Sequence, residues 1–249
     1  YIKMDYNIEP GIGTELDADS YGDGLLGHNR AYLEWLDGIF ERYPDLIIEN
    51  CSSGGLRMDY AMLSRYSIQS TSDQEDYVRY ATITANAPSA VTPEQAAVWS
   101  YPLTDGDCEE VVFNMVNALL LRIHQSGHLV NLSPERFGYV KEAISYYKTI
   151  RHLTKKALPY WPLGLSSYGD PWVSLGLEAE GKDFLAVWRR NSQMPVQEIP
   201  VKHLKGKEVK AVCAYPESAE CAYHWNKEAG TLTVELPARV SARIFELRY

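Results

Sequence analysis

The sequence predicts an α/β protein in which a parallel β/α domain is followed by a small antiparallel β domain. Two observations carry that prediction. Over roughly the first 155 residues, short apolar or β-prone runs are each followed by a polar turn and then by apolar residues at helical spacing. From Pro159 onward the helical spacing disappears, and short alternating strands separated by Gly-containing turns replace it.

The first run, Tyr1 to Asn7, reads as a short buried strand. A period of two places Lys3, Asp5 and Asn7 on one face. Polar groups so placed either pair with one another, Lys3 with Asp5, or surround a polar ligand. The Gly- and Asp-rich stretch from Ile8 to Gly24 is a long loop of the kind usually kept for function. A helix is expected over Leu25–Arg42, stopped by Pro44. Leu46-Ile47-Ile48 reads as a doubly covered strand ending in the polar turn Glu49 to Gly55.

Further units follow in the same order. They are a short helix near Met58–Ser64, a strand at Tyr66–Gln69, and a helix over Glu75–Asn86. A strand is then expected at Ser89–Thr92, a helix at Cys108–Leu119 and a strand at Leu121–His124. Ser133-Pro134-Glu135 caps a long helix to about Leu153. In each unit the polar residues gather just after the strand, where sites form in parallel α/β folds. Five strands do not close an eight-stranded barrel, so the sheet is either open or lacks its first strands.

Pro159, Pro162 and the Gly164–Gly169 segment look like a linker. Strands are expected beyond it at Trp172–Ala179, Asp183–Arg190, Val196–Pro200, Glu208–Ala214, Thr231–Leu236 and Ser241–Leu247, forming an antiparallel β-sandwich. The expected division is a parallel β/α domain over 1–157 and a sandwich domain over 158–249.

At 249 residues and a net charge of −9, with no basic cluster, the chain is unsuited to nucleic acid. No apolar run has the length of a membrane span, and the first twenty residues do not resemble a signal peptide. Cys51, Cys108, Cys213 and Cys221 lack metal-type spacing. The short gap between Cys213 and Cys221 could carry a disulfide, but a reduced, cytoplasmic setting is the expectation. The 18 Tyr and 6 Trp suit surfaces that stack on sugars, although most are expected in the core.

Three segments in order carry a family resemblance. Lys3-Met4-Asp5-Tyr6-Asn7 resembles the Lys-x-Asp-x-Asn strand end of the glycoside hydrolase family 36 α-galactosidases. Cys51-Ser52-Ser53-Gly54-Gly55-Leu56-Arg57-Met58-Asp59 is similar to that family's Cys-Ser-x-Gly-Gly-x-Arg-x-Asp segment, and Thr71-Ser72-Asp73-Gln74-Glu75-Asp76 to its Thr-Ser-Asp-x-x-Asp segment. Arg122 to His128 also fits. The resemblance implies the later strands of a TIM (β/α)8 barrel followed by a small sandwich, and a retaining hydrolase of raffinose- or melibiose-type α-galactosides that uses no cofactor. Retaining glycosidases use two carboxyl groups about 5–5.5 Å apart. The resemblance makes Asp5 the nucleophile and Asp73 the general acid/base, with Lys3 keeping Asp5 ionised and Asp73 holding a proton at the start. It also implies that Lys3, Asn7, Cys51, Gly54 and Arg57 bind the sugar.

Local readings compete with several of these roles. Asp73 could be the N-cap of the helix after it, with Asp76 then the acid. Cys51 could be a small core residue. Arg57 and Asp59 could be a helix-start ion pair. His124 and His128 read as strand-end hydrogen-bond donors. Met4 and Tyr6 depart from the family's usual Trp and Met, on the face away from the site. Alternative activities are an α-N-acetylgalactosaminidase, a galactosyl transferase like raffinose synthase, or a non-catalytic carbohydrate-binding fragment. The expected partners are an α-galactoside oligosaccharide and either a second copy or a preceding half of the barrel.

Overall fold

A computed structural model describes residues 1–218 and 221–249. The chain divides into two compact units, Tyr1–Thr71 and Ser72–Tyr249. The first is a parallel β/α unit in which β1 (Ile2–Asp5), β2 (Ile48–Cys51) and β3 (Ile68–Ser70) are hydrogen-bonded in sequence order. Between them run α1 (Tyr21–Arg42) and α2 (Tyr60–Leu63). Ser20 opens α1 by accepting from the Asp23 amide at 3.2 Å, and the helix ends just before Pro44. Its apolar stripe carries Leu36 into a core with Ile48, Met62 and Tyr66, against which Met4, Leu33, Ile39 and Phe40 pack.

Two expectations are corrected in this unit. The second strand begins at Ile48, not Leu46, so Glu49 and Asn50 lie inside it rather than in a turn. Parallel pairing decides this, because Ile2, Lys3, Met4 and Asp5 align with Ile48, Glu49, Asn50 and Cys51. Nor is β1 buried, since Tyr1 and Ile2 are 68% and 45% exposed on a strand with β2 on one side.

The second unit begins with α3 (Tyr77–Asn86) and contains β4 (Ala96–Ser100), α4 (Cys108–Leu119), β5 (Arg122–Gln125) and α5 (Pro134–Thr154). β4 and β5 pair in parallel. The strand expected at Ser89–Thr92 is absent. A short 3-10 turn, Ala87–Ser89, stands there, and β4 lies further on. The amides of Ala90 and Val91 both bond to the Ala87 carbonyl, so local turns between Pro88 and Pro93 take the groups a ladder would need.

Antiparallel strands complete the unit: β6 (Leu158–Tyr160), β7 (Trp172–Ala179), β8 (Lys182–Arg189), β9 (Val196–Pro200), β10 (Lys210–Tyr215), β11 (Ala222–Asn226), β12 (Thr231–Glu235) and β13 (Ser241–Arg248). They form two sheets, β10-β13-β8-β7-β6 and β11-β12-β9. Leu185, Val187, Phe245 and Leu247 of one share an apolar core with Ile199, Leu232 and Val234 of the other. The expected linker at Pro159 is instead the edge strand β6, the position in a sheet where proline is tolerated. There Tyr160 pairs with Gly176, and its ring occupies the space a Cβ at 176 would need. β11 went unread because its exposed Tyr-His face resembles a loop.

Helices and antiparallel strands are closely joined here: α4 packs on β13, α3 on β7 and α5 on β10. The buried Arg243 of β13 donates to both carboxylate oxygens of Glu109 on α4, at 2.7 and 2.6 Å. All four cysteines are free thiols. Among the described residues no helix is long and apolar enough to cross a membrane.

Candidate active site

The aligned register of β1 and β2 brings four polar side chains to one face, since Lys3 is opposite Glu49 and Asp5 is opposite Cys51. Lys3 Nζ lies 3.8 Å from Glu49 Oε1, and the Tyr1 hydroxyl also donates to Glu49. Glu49 is fully buried. A carboxylate so placed needs a cation and donors, and Lys3 and Tyr1 supply them. The sequence reading placed Glu49 in a turn and so missed this partner of Lys3; its only signal was a charge beside an apolar run.

Asp5 is exposed at the end of β1, beside the buried thiol of Cys51. Burial pushes that thiol upward in pKa. The Gly54 amide, the Ser70 hydroxyl and the Lys3 charge oppose the shift, while a hydrogen bond to Asp5 adds to it. Cys51 therefore stays a neutral thiol beside the Asp5 carboxylate.

Beyond β2 the chain reverses tightly, with Ser53 and Gly54 at φ of 41° and 78°. At Gly55 a Cβ would lie 2.7 Å from the Thr71 carbonyl oxygen, so only glycine lets the turn approach the end of β3. Asn7 is drawn into the same turn, accepting from the Ser53 amide at 2.6 Å. Ser52 donates to the Tyr6 carbonyl at 2.5 Å.

Arg57 does not form the expected helix-start pair with Asp59. Its Nε donates to the Tyr6 carbonyl at 3.1 Å, a terminal nitrogen donates to the Ile8 carbonyl at 3.1 Å, and the guanidinium lies 3.8 Å from the centre of the Tyr6 ring. Asp59 instead caps α2 through the Met62 amide. Tyr6 also reaches His28 at 2.6 Å and packs on Tyr32, and Met4 packs against the same core as Tyr32. Lys3, Asp5, Asn7, Cys51 and Gly54 thus form one cluster, with Arg57 bracing the loop after β1.

In the second unit the N-cap of α3 is Asp76, not Asp73. Asp76 accepts from the amides of Val78 and Arg79 at 2.9 and 3.2 Å and lies 3.4 Å from the Arg79 guanidinium. Asp73 is exposed in the loop before it, and the charges of Asp73 and Glu75 act on Tyr101. His124 meets Trp99 edge-on at 5.1 Å. Among the described residues no group of His, Cys, Asp and Glu is arranged to hold a metal ion.

Parallel strands carrying polar residues at their carboxyl ends, joined to antiparallel sheets, place the chain among α/β proteins whose sites form at strand ends. The chain belongs to the melibiase family, whose pattern matches residues 1–156. It is 26% identical over 180 residues to alpha-galactosidase Mel36A of Lactobacillus acidophilus, covering 70% of this chain and 24% of that protein. The chain thus spans about a quarter of that relative's length. Two solved structures from Geobacillus stearothermophilus share its fold along its whole length and are covered over 35% of their own. They are the GH36 alpha-galactosidase AgaA A355E in complex with 1-deoxygalactonojirimycin, at a TM-score of 0.74 and 19% identity, and the GH36 alpha-galactosidase AgaB, at 0.72 and 18%.

Proposed function

We propose that the protein carrying this chain is a retaining α-galactosidase that releases terminal galactose from raffinose- or melibiose-type oligosaccharides without a cofactor. Asp5 is the nucleophile and Asp73 the general acid/base. Lys3, Asn7, Cys51 and Gly54 hold the galactose, and Arg57 steadies the loop that presents it. The β/α units over 1–157 are the later strands of a (β/α)8 barrel, and 158–249 is a β-sandwich.

The observation that most supports this reading is the Asp5–Cys51 strand end, where parallel pairing sets an exposed carboxylate beside a buried thiol in the family's motif order. Placement of the helix cap on Asp76 leaves Asp73 available for proton transfer. A relative crystallised with raffinose supports the choice of substrate. A reducing, cytoplasmic setting suits the free thiols.

Turnover of a chromogenic α-galactoside and of raffinose by the intact protein tests the proposal. Release of galactose with net retention at its anomeric carbon is expected. Oligosaccharide binding without turnover identifies a carbohydrate-binding module instead, and preference for the N-acetylated sugar or for transfer to sucrose identifies one of the related enzymes.

A further inference from the structure

Two of the four free thiols, Cys213 and Cys221, converge on one part of the core shared by the antiparallel sheets. Cys213 belongs to β10, in the five-stranded sheet, and lies directly opposite Phe245 of β13. Opposed residues of a ladder present their side chains on the same face, so this thiol stands beside the Phe245 ring. Cys221 immediately precedes β11, in the three-stranded sheet, and alternation places it on the face that carries Tyr223 and Trp225. The Tyr223 ring meets the same Phe245 edge-on, with centres 5.4 Å apart. Ala211 and Cys213 on one strand, and Cys221 and Trp225 on the other, all pack against that core.

Their surroundings divide the two thiols chemically. Cys213 Sγ lies 3.7 Å from the Pro216 carbonyl oxygen, an acceptor for its proton. The neighbouring Cys221 sulfur, and then burial, raise the pKa of Cys213. Cys221 moves the other way, to about 7: the Cys213 thiol lowers it most, burial opposes the shift, and the Arg243 guanidinium adds to the lowering. Arg243 stands two residues before Phe245, on the same face of β13. Its fork is held on Glu109, and its buried Nε finds no hydrogen-bond partner among the described residues. At Cys51 and Cys108, by contrast, burial raises the pKa. Thiolates are the nucleophiles that oxidants meet, which sets Cys221 apart from the other three.

We propose that Cys221 and Cys213 form a peroxide-responsive modification site, in which Cys221 is oxidised first and Cys213 closes a disulfide that ties β10 to β11 across the two sheets. The Cys221 thiolate attacks one oxygen of hydrogen peroxide, and an S–O bond forms as the O–O bond breaks. The displaced hydroxide takes up the proton that Cys221 had released and leaves as water. Sulfur is thereby oxidised to a sulfenic acid, and the peroxide is reduced. The Cys213 sulfur then attacks the Cys221 sulfur, and an S–S bond forms as the S–O bond breaks. The Cys213 proton departs with the hydroxyl as a second water. A small-molecule thiol reverses the modification by exchange. None of this depends on the glycosidase assignment.

The test treats the intact protein with hydrogen peroxide at neutral pH, then alkylates its remaining thiols and digests it with trypsin. No Lys or Arg lies between the two cysteines, so one peptide, residues 211–227, reports both. That peptide is expected to lose both alkylation sites and two hydrogen atoms, and dithiothreitol should restore them. Cys51 and Cys108 should stay alkylated. Cys213→Ser should leave Cys221 as a sulfenic acid that dimedone captures, and Cys221→Ser should leave Cys213 alkylated. Should either variant fail to fold, the wild-type peptide alone decides. Oxidation should also raise the thermal midpoint of the wild type, and dithiothreitol should return it. A peptide that keeps both alkylation sites overturns the inference, as does a sulfinic acid at Cys221 without a disulfide. An unmoved midpoint overturns the tie between the sheets.

Discussion

The strands of the first unit and those of the antiparallel sheets solve opposite problems. β7, β8 and β13 are eight residues long and almost wholly buried, with Leu175, Leu185, Val187, Trp188 and Phe245 at zero exposure. β1, β2 and β3 are three or four residues long, and Glu49, Asn50 and Gln69 lie buried within them. Those polar groups are satisfied individually: Asn50 donates to Gln69 at 2.6 Å and to the Arg57 carbonyl at 2.9 Å, and Glu49 takes Lys3 and Tyr1. The long strands are stabilised by apolar area, which tolerates repacking. The short ones depend on a few directed bonds, which do not. A substitution in the first unit should therefore disturb chemistry, and one in the antiparallel sheets should disturb stability.

The largest effect should come from Asp5→Asn in the intact protein. An amide cannot form the glycosyl-enzyme bond, so turnover should fall by roughly 10³-fold or more while folding is kept. External azide should restore part of the rate on an activated aryl galactoside; near-normal activity without azide would place the nucleophile elsewhere. Asp73→Ala should slow raffinose by about 10²–10⁴-fold and an aryl galactoside with a good leaving group much less, because only a basic leaving oxygen needs the proton. Equal losses on the two substrates would move the acid role to another group.

Stability should answer to the other region. Phe245→Ala removes a fully buried ring from the core shared by the two antiparallel sheets and should cost about 3–5 kcal/mol in urea unfolding. A cost near zero would mean that this core collapses around the cavity, and the contrast between the regions would fail. Asp76→Ala removes the cap of α3 and should cost about 1 kcal/mol, with turnover retained. Loss of turnover from this variant would make Asp76 the acid.

The smallest effect is a titration. The Tyr101 phenol has its pKa raised from 10.0 to about 12, so the folded state holds this proton more tightly than the unfolded chain does. Its stabilising contribution is complete below pH 10 and disappears as pH rises from 10 to about 12. Difference absorbance of phenolate between wild type and Tyr101→Phe should place the lost titration near the upper value. A lost titration near 10 would mean that Tyr101 is neither buried nor close to Asp73 and Glu75.

Local signals made some elements legible from the residues alone. Cys108–Leu119 is a helix as read, opened by Asp107 accepting from the Glu110 amide, and Ser133 with Pro134 opens α5 as expected. Trp172–Ala179 and Val196–Pro200 are the strands their composition indicated. The order of Lys3, Asp5, Cys51 and Asp73 also disclosed the family, because a motif is a property of sequence. Tertiary structure alone decided the rest. Nothing within Leu46–Cys51 sets where β2 begins; its partner β1 does, and the shift of two residues turns Glu49 from a turn residue into the buried mate of Lys3. A helix cap could fall on Asp73 or Asp76 until the backbone chose Asp76. Tyr101 and His128 share a recess only because β4 and β5 lie side by side. The physical reason is common to all three: helix caps and apolar periodicity act within a few residues, whereas register and recesses depend on which distant strand supplies the partner.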